Sequence, residues 1–152
     1  MLSGYFAIPN LVATYAERID LGDFEGVAEL FTHATITVEE NDIVVQGRDG
    51  ALEMYEQWTR RYDDNGTPHT RHVTTNLILD VDDDAGTATC RSYFTVLQRT
   101  DVLPFQPIIA GRYHDRFERV DGEWRFAHRH MFNDLVGDLS QHMLADPFAA
   151  GS

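Results

Sequence analysis

Between residues 68 and 133 the chain has the pattern of four long strands and little else. Residues 68–81, 87–99, 108–120 and 123–133 are dense in β-branched and aromatic residues, and turn residues bound each run. Asp121-Gly122, between the last two runs, is a strong two-residue hairpin signal. An acidic turn, Asp82-Asp83-Asp84-Ala85-Gly86, joins the first two runs. Residues 100–107, with Pro104 and Pro107, form the remaining loop. Connections this short oblige sequence neighbours to pair antiparallel. The second half of the chain is therefore an antiparallel meander. Its greasier face needs cover from the residues before it.

Those residues have helical spacing. Ile8, Leu11, Val12, Tyr15 and Ile19 predict a helix over 9–19, with Pro9 in the first turn. Asp23 is an N-cap for a second helix over 24–31, with Phe24, Val27, Ala28 and Phe31 on one face. Residues 35–40 and 43–46 form a short hairpin about Asn41-Asp42. Asp49 caps a third helix that carries Ala51, Met54, Tyr55, Trp58 and Tyr62 toward the core. Three helices, a hairpin and a meander predict an α+β fold. Its curved, cone-shaped antiparallel or mixed sheet wraps around the three N-terminal helices. A chain of 152 residues suits one domain over 1–152, with a core at about 5–140 and a C-terminal tail at 141–152.

Charge narrows the function classes. The formal net charge is −13, which argues against nucleic acid and anionic membranes as partners and disfavours an anionic substrate. A neutral, apolar or cationic ligand is favoured, and a small apolar molecule is the expected one. The single cysteine, Cys90, excludes an internal disulfide and is expected as a small strand residue. No basic leader or long apolar run is present in this sequence, so a cytoplasmic location is expected. No nucleotide-binding glycine motif, serine-hydrolase elbow or zinc-type cysteine spacing occurs. We therefore expect no cofactor. His69, His72, His128 and His130 have no spacing that enforces convergence, so no metal is expected either.

The run at 68–81 holds the chemistry. Its odd positions, Val73, Thr75, Leu77, Leu79 and Val81, form an apolar face; His72, Thr74, Asn76, Ile78 and Asp80 form a mixed one. The residues alone leave His72 open between solvent and a pocket. If it turns inward, a concave mixed face or a bulge before Thr74 is required. Asn76, on the same face, is a candidate to bind a carbonyl or leaving hydroxyl. Arg112 and Tyr113 lie on opposite faces of their strand, so at most one lines a pocket; Arg112 is carried as a candidate. Tyr15, Tyr55 and Trp58 are candidates for pocket walls. In the last strand Trp124, Phe126, His128, His130 and Phe132 alternate on one face, and His130 is the candidate pocket residue. Apolar residues on both sheet faces, Phe94 and Val96 against Tyr93 and Leu97, point to a homo-oligomer, most simply a dimer.

Several phrases in this order resemble the SnoaL-like branch of the nuclear transport factor 2-like superfamily. They are Tyr-Ala-Glu-Arg-Ile-Asp-Leu-Gly-Asp-Phe at 15–24 ending in Leu30-Phe31, Val-Gln-Gly-Arg at 45–48, Gly-Arg-Tyr-His-Asp-Arg at 111–116 and Asp-Gly-Glu-Trp-Arg-Phe at 121–126. The resemblance spans roughly residues 5–140. Scytalone dehydratase, bile acid 7α-dehydratase and lindane dehydrochlorinase in that superfamily share an Asp–His pair, which the resemblance carries onto Asp20 and His72. It implies a cofactor-independent lyase of the dehydratase type, or an isomerase or cyclase, acting on a small apolar cyclic substrate. The same superfamily holds two alternatives. One is a non-catalytic small subunit like the β subunit of aromatic-ring-hydroxylating dioxygenases; the other is a small-molecule-binding domain.

Overall fold

The computed structural model describes residues 1–145. Its elements are α1 (Gly4–Asp20), α2 (Phe24–Leu30), β1 (Thr35–Val38), β2 (Val44–Gln46), α3 (Gly47–Trp58), β3 (Thr70–Asp82), β4 (Thr87–Gln98), β5 (Gln106–Val120) and β6 (Glu123–Val136). The six strands form one open sheet in the order β2-β1-β6-β5-β4-β3. All neighbours are antiparallel except β1 and β6, which run parallel with Thr35 opposite His128. This is the α+β architecture expected, with the three helices on the concave face of a mixed sheet. Part of the expected tail, residues 146–152, lies outside the described residues.

Helix α1 begins five residues earlier than its periodicity suggests. The Ser3 hydroxyl accepts from the Tyr5 N–H as a cap, and the Gly4 N–H donates to Asp83 at 2.8 Å. Pro9 thus sits inside the helix and forgoes one backbone bond. Asp23 caps α2, accepting from the Gly26 N–H at 2.9 Å. Helix α3 starts at Gly47 rather than at Asp49. The preceding Gln46 gives no side-chain cap, and the helix ends before Tyr62. Ile8, Val12, Tyr15, Ile19, Phe24, Val27 and Ala28 bury against Ile36, Phe94, Tyr113, Phe117 and Phe126 of the sheet. Burying each large apolar side chain contributes roughly 1.5–3 kcal/mol, so this interface dominates the fold. Cys90 lies within it, and burial pushes its thiol up to about 11, which leaves it an inert strand residue.

Two irregularities decide which side chains face the helices. In β3 the register against β4 shifts between Thr75 and Ile78, and Asn76 adopts φ 57°. Asparagine tolerates that left-handed conformation better than most residues. Before the shift the even residues His72 and Thr74 turn inward. After it the odd residues Leu77, Leu79 and Val81 pack on the core. The bulge therefore lies beyond Thr74, not before it. In β6 a shift opposite Arg116 and Phe117 leaves Ala127 unpaired. Trp124 and Phe126 face the core, whereas His128 and His130 turn to the outer face and Arg129 turns in. Trp124, Phe126, His128, His130 and Phe132 therefore do not share one face of β6.

Candidate active site

Asp20 ends α1 and His72 lies near the start of β3, 52 positions away. The inner face of β3 passes the end of α1, and the two side chains meet there. Asp20 Oδ1 lies 2.7 Å from His72 Nδ1 and accepts the Thr70 hydroxyl at 2.9 Å. Its other oxygen accepts the His72 backbone N–H at 2.7 Å. Three donors thus converge on one carboxylate, and the geometry makes Nδ1 the protonated nitrogen of the ring. Nε2 keeps its lone pair. The side chains are 6% and 12% exposed for His72 and Asp20, so water competes little for these bonds. Asp20 borders the open groove between α1 and the β3–β4 end, whereas His72 also lines the interior cavity.

That cavity, of about 150 Å³, lies between the helices and the concave sheet face. Tyr15, Tyr55 and Trp58 line it, as do Ile19, Phe94, Val96, Tyr113 and Met131. The Tyr15 and Tyr55 hydroxyls are 2.8 Å apart. Burial raises the pKa of Tyr15, Tyr55 and Tyr113, so all three remain protonated hydrogen-bond donors. Behind Tyr15 and Tyr113 lies Arg129, fully buried. It is held by Asp115 through two bonds of 2.9 Å, with its guanidinium carbon 3.7 Å from the Tyr113 ring centre and 4.4 Å from that of Tyr15. Burial alone would favour a neutral Arg129. The Asp115 charge and hydrogen bonds outweigh it and hold its pKa above the ordinary value.

Three expected pocket residues lie elsewhere. Asn76 is on the outer side, at the bulge that its own conformation makes possible. Arg112 is on the outer face, bonded to Asp134 at 2.8 and 3.1 Å and stacked on Phe132; Tyr113 takes the inward position. His130 is on the outer face too, bonded to Thr37 at 2.6 Å and to Glu39 at 2.7 Å. The one-residue bulge at Ala127 reverses its parity. Among the described residues no group of three histidine, cysteine or acidic side chains converges as a metal site.

The second histidine in the cavity is His142, in the segment after β6, which strand periodicity gave no means of placing. Its ring centre is 6.4 Å from that of His72. Burial, with His72 nearby, holds its pKa down to about 3 against an ordinary 6.5. The native state therefore binds fewer protons than the unfolded chain between those values, so this contribution to stability is complete above pH 6.5 and declines as pH falls. Between pH 7.5 and 5 it should remove about 2 kcal/mol. Urea unfolding of His142→Gln should be less acid-sensitive than wild type by about that amount; an identical pH slope would contradict the assignment.

The geometry so far is that of a cystatin-like fold with a histidine and its carboxylate beside an apolar cavity. Residues 1–130 match the model of the SnoaL-like domain, and the chain belongs to that family. Among solved structures, a protein of unknown function from Mycobacterium tuberculosis is 29% identical, with a TM-score of 0.70 over 87% of this chain and 72% of its own. A candidate scytalone dehydratase from Novosphingobium aromaticivorans is 24% identical, with a TM-score of 0.68 over 87% and 85%. LinA is also 24% identical, with a TM-score of 0.66 over 93% and 92%. The last two likenesses establish the fold. No curated protein matches the sequence significantly. No described helix is long and apolar enough to cross a membrane.

Proposed function

We propose that the protein is a cofactor-independent acid–base enzyme, a lyase of the dehydratase type, in which His72 is the general base and Asp20 its orienting carboxylate. The observation that carries this is the 2.7 Å Asp20–His72 contact at the wall of an apolar cavity. His72 Nε2 takes a proton from the carbon next to a carbonyl. The C–H electron pair becomes the new double bond as the adjacent C–O bond breaks. The leaving hydroxyl takes the proton and departs as water. Asp20 stabilises the imidazolium formed in between. One O–H of the Tyr15–Tyr55 pair is used between the two hydroxyls, and the other is a donor for the substrate oxygen that gathers charge. The same base serves isomerisation or cyclisation if no leaving group is present. A candidate scytalone dehydratase among the structural neighbours is in keeping with this class. The test is a panel of small cyclic β-hydroxy ketones and cyclohexenones in D2O. Proton NMR would read loss of water and α-deuterium uptake, with His72→Ala as the blank. Equal behaviour of the two proteins across the panel would remove the base.

We also propose that the protein works as a homodimer or higher homo-oligomer. Val73, Ile78, Tyr93 and Leu135 are exposed large apolar side chains on the outer sheet face, and a second copy is the simplest cover for them. Light scattering at micromolar concentration should give at least twice 17.3 kDa. Tyr93→Glu should shift the population toward monomer, and a wild-type monomer would refute the assembly.

A further inference from the structure

A cavity of about 150 Å³ accommodates one benzene-sized ring. No aspartate, glutamate, lysine or arginine is among its described lining residues, so it suits an uncharged occupant. One side is closed by residues 139–143, tied down through main-chain groups. The Arg60 N–H donates to the His142 carbonyl at 2.8 Å, and the Leu144 N–H donates to the Trp58 carbonyl at 2.9 Å. The Gln98 side chain donates to the Gln141 carbonyl at 3.1 Å. None of these bonds uses the His142 imidazole, which lines the cavity instead.

That imidazole is buried, and its Nδ1 has no partner among the described residues. A neutral imidazole carries one donor and one acceptor. A buried polar group without a partner is penalised and calls for an explanation, such as a bound water or a functional role. Nδ1 itself is sealed off, so the ring nitrogen left to meet an occupant of the cavity is Nε2. The ring is held neutral, as shown above, so it would meet the occupant as a hydrogen-bonding group rather than as a charge. His72, across 6.4 Å, marks the reacting end of the same space.

We infer that His142 is a ligand-binding residue that hydrogen-bonds a hydroxyl or carbonyl oxygen of an uncharged, single-ring molecule whose carbocycle fills the cavity. This rests on the reading of the cavity as the substrate site and narrows the substrate class to monocyclic, oxygen-bearing compounds. His142 thereby selects for an oxygen substituent that a purely apolar wall would not distinguish from hydrogen.

Two probes of the same ring size, 4-fluorophenol and fluorobenzene, test it by 19F NMR titration. Wild type should bind 4-fluorophenol about tenfold more tightly than fluorobenzene, the ratio of one good hydrogen bond. His142→Leu should bring that ratio to about one while leaving fluorobenzene affinity in place. His142→Gln, which can still donate and accept, should restore part of it. His142→Phe accompanies the leucine variant so that a folded apolar substitution, verified by circular dichroism, is in hand. Equal wild-type affinities, or a ratio that survives the apolar variants or collapses only in His72→Leu, would overturn the role of His142 and leave the cavity as a binding site. Binding of neither probe by wild type would overturn the cavity as the substrate site, and the role of His142 with it.

Discussion

His72→Ala should lower turnover of any substrate found in the panel by about 10²–10⁴-fold, the usual worth of a positioned general base, while the melting temperature stays close to wild type. The substitution removes a side chain that contacts Asp20 and the cavity but is not part of the apolar core. Asp20→Asn should be nearly as damaging for a reason visible in its hydrogen bonds. One Asp20 oxygen accepts the His72 backbone N–H; the other receives Nδ1 and the Thr70 hydroxyl. An asparagine must place its NH2 on one of these sides. Keeping the backbone bond puts the NH2 against Nδ1, which must then accept. The ring proton moves to Nε2, and the base becomes a donor facing the substrate. By the precedent of catalytic triads, the loss is orders of magnitude in kcat. Measured kcat for both variants decides the matter. Undiminished kcat in both folded variants would leave the pair a structural tie at the end of α1, and a binding or scaffold role would lead.

The elements were legible because their signals are local. Helical spacing from Ile8 to Ile19, the Asp23 cap and the Asp121-Gly122 turn each act within a few residues. The side-chain directions were less legible because they depend on parity, and a single extra residue reverses it. Asn76 shows the difficulty. Counting by twos from His72 places it in the pocket, yet it is the residue whose positive φ resets the strand. Counting back from the Asp121-Gly122 turn pairs Asp115 with His128, and the unpaired Ala127 moves the partner to Arg129. An acid and an arginine one residue out of register across a hairpin were the available hint of a bulge. His142 gave less. It is placed by main-chain bonds to the stretch after α3, which leave no periodic trace. Asp20 and His72 stood out through family resemblance; their own neighbourhoods in sequence contain nothing that brings them together.

Substitution of either member of the Asp115–Arg129 pair should cost about 3–5 kcal/mol, since the charge left behind has neither water nor a counter-ion. Both side chains are 0% exposed and joined by two bonds of 2.9 Å. Domains of this size are commonly stable by only about 5–15 kcal/mol, so Arg129→Met alone should move the urea midpoint far toward zero. The paired change Asp115→Leu with Arg129→Met should recover most of the loss, because apolar side chains of similar volume often replace a buried ion pair without penalty. Recovery of stability should not bring full recovery of function. The Arg129 guanidinium lies against the rings of Tyr15 and Tyr113, and both rings line the cavity. A cation over an aromatic face is held by the ring quadrupole as well as by packing, and methionine supplies only the packing. Urea unfolding and turnover measured on the same three variants separate the two roles. A single substitution costing under about 1 kcal/mol would mean that the pair is no more than a surface-type ion pair in energy, and fully restored turnover in the double variant would confine Arg129 to stability.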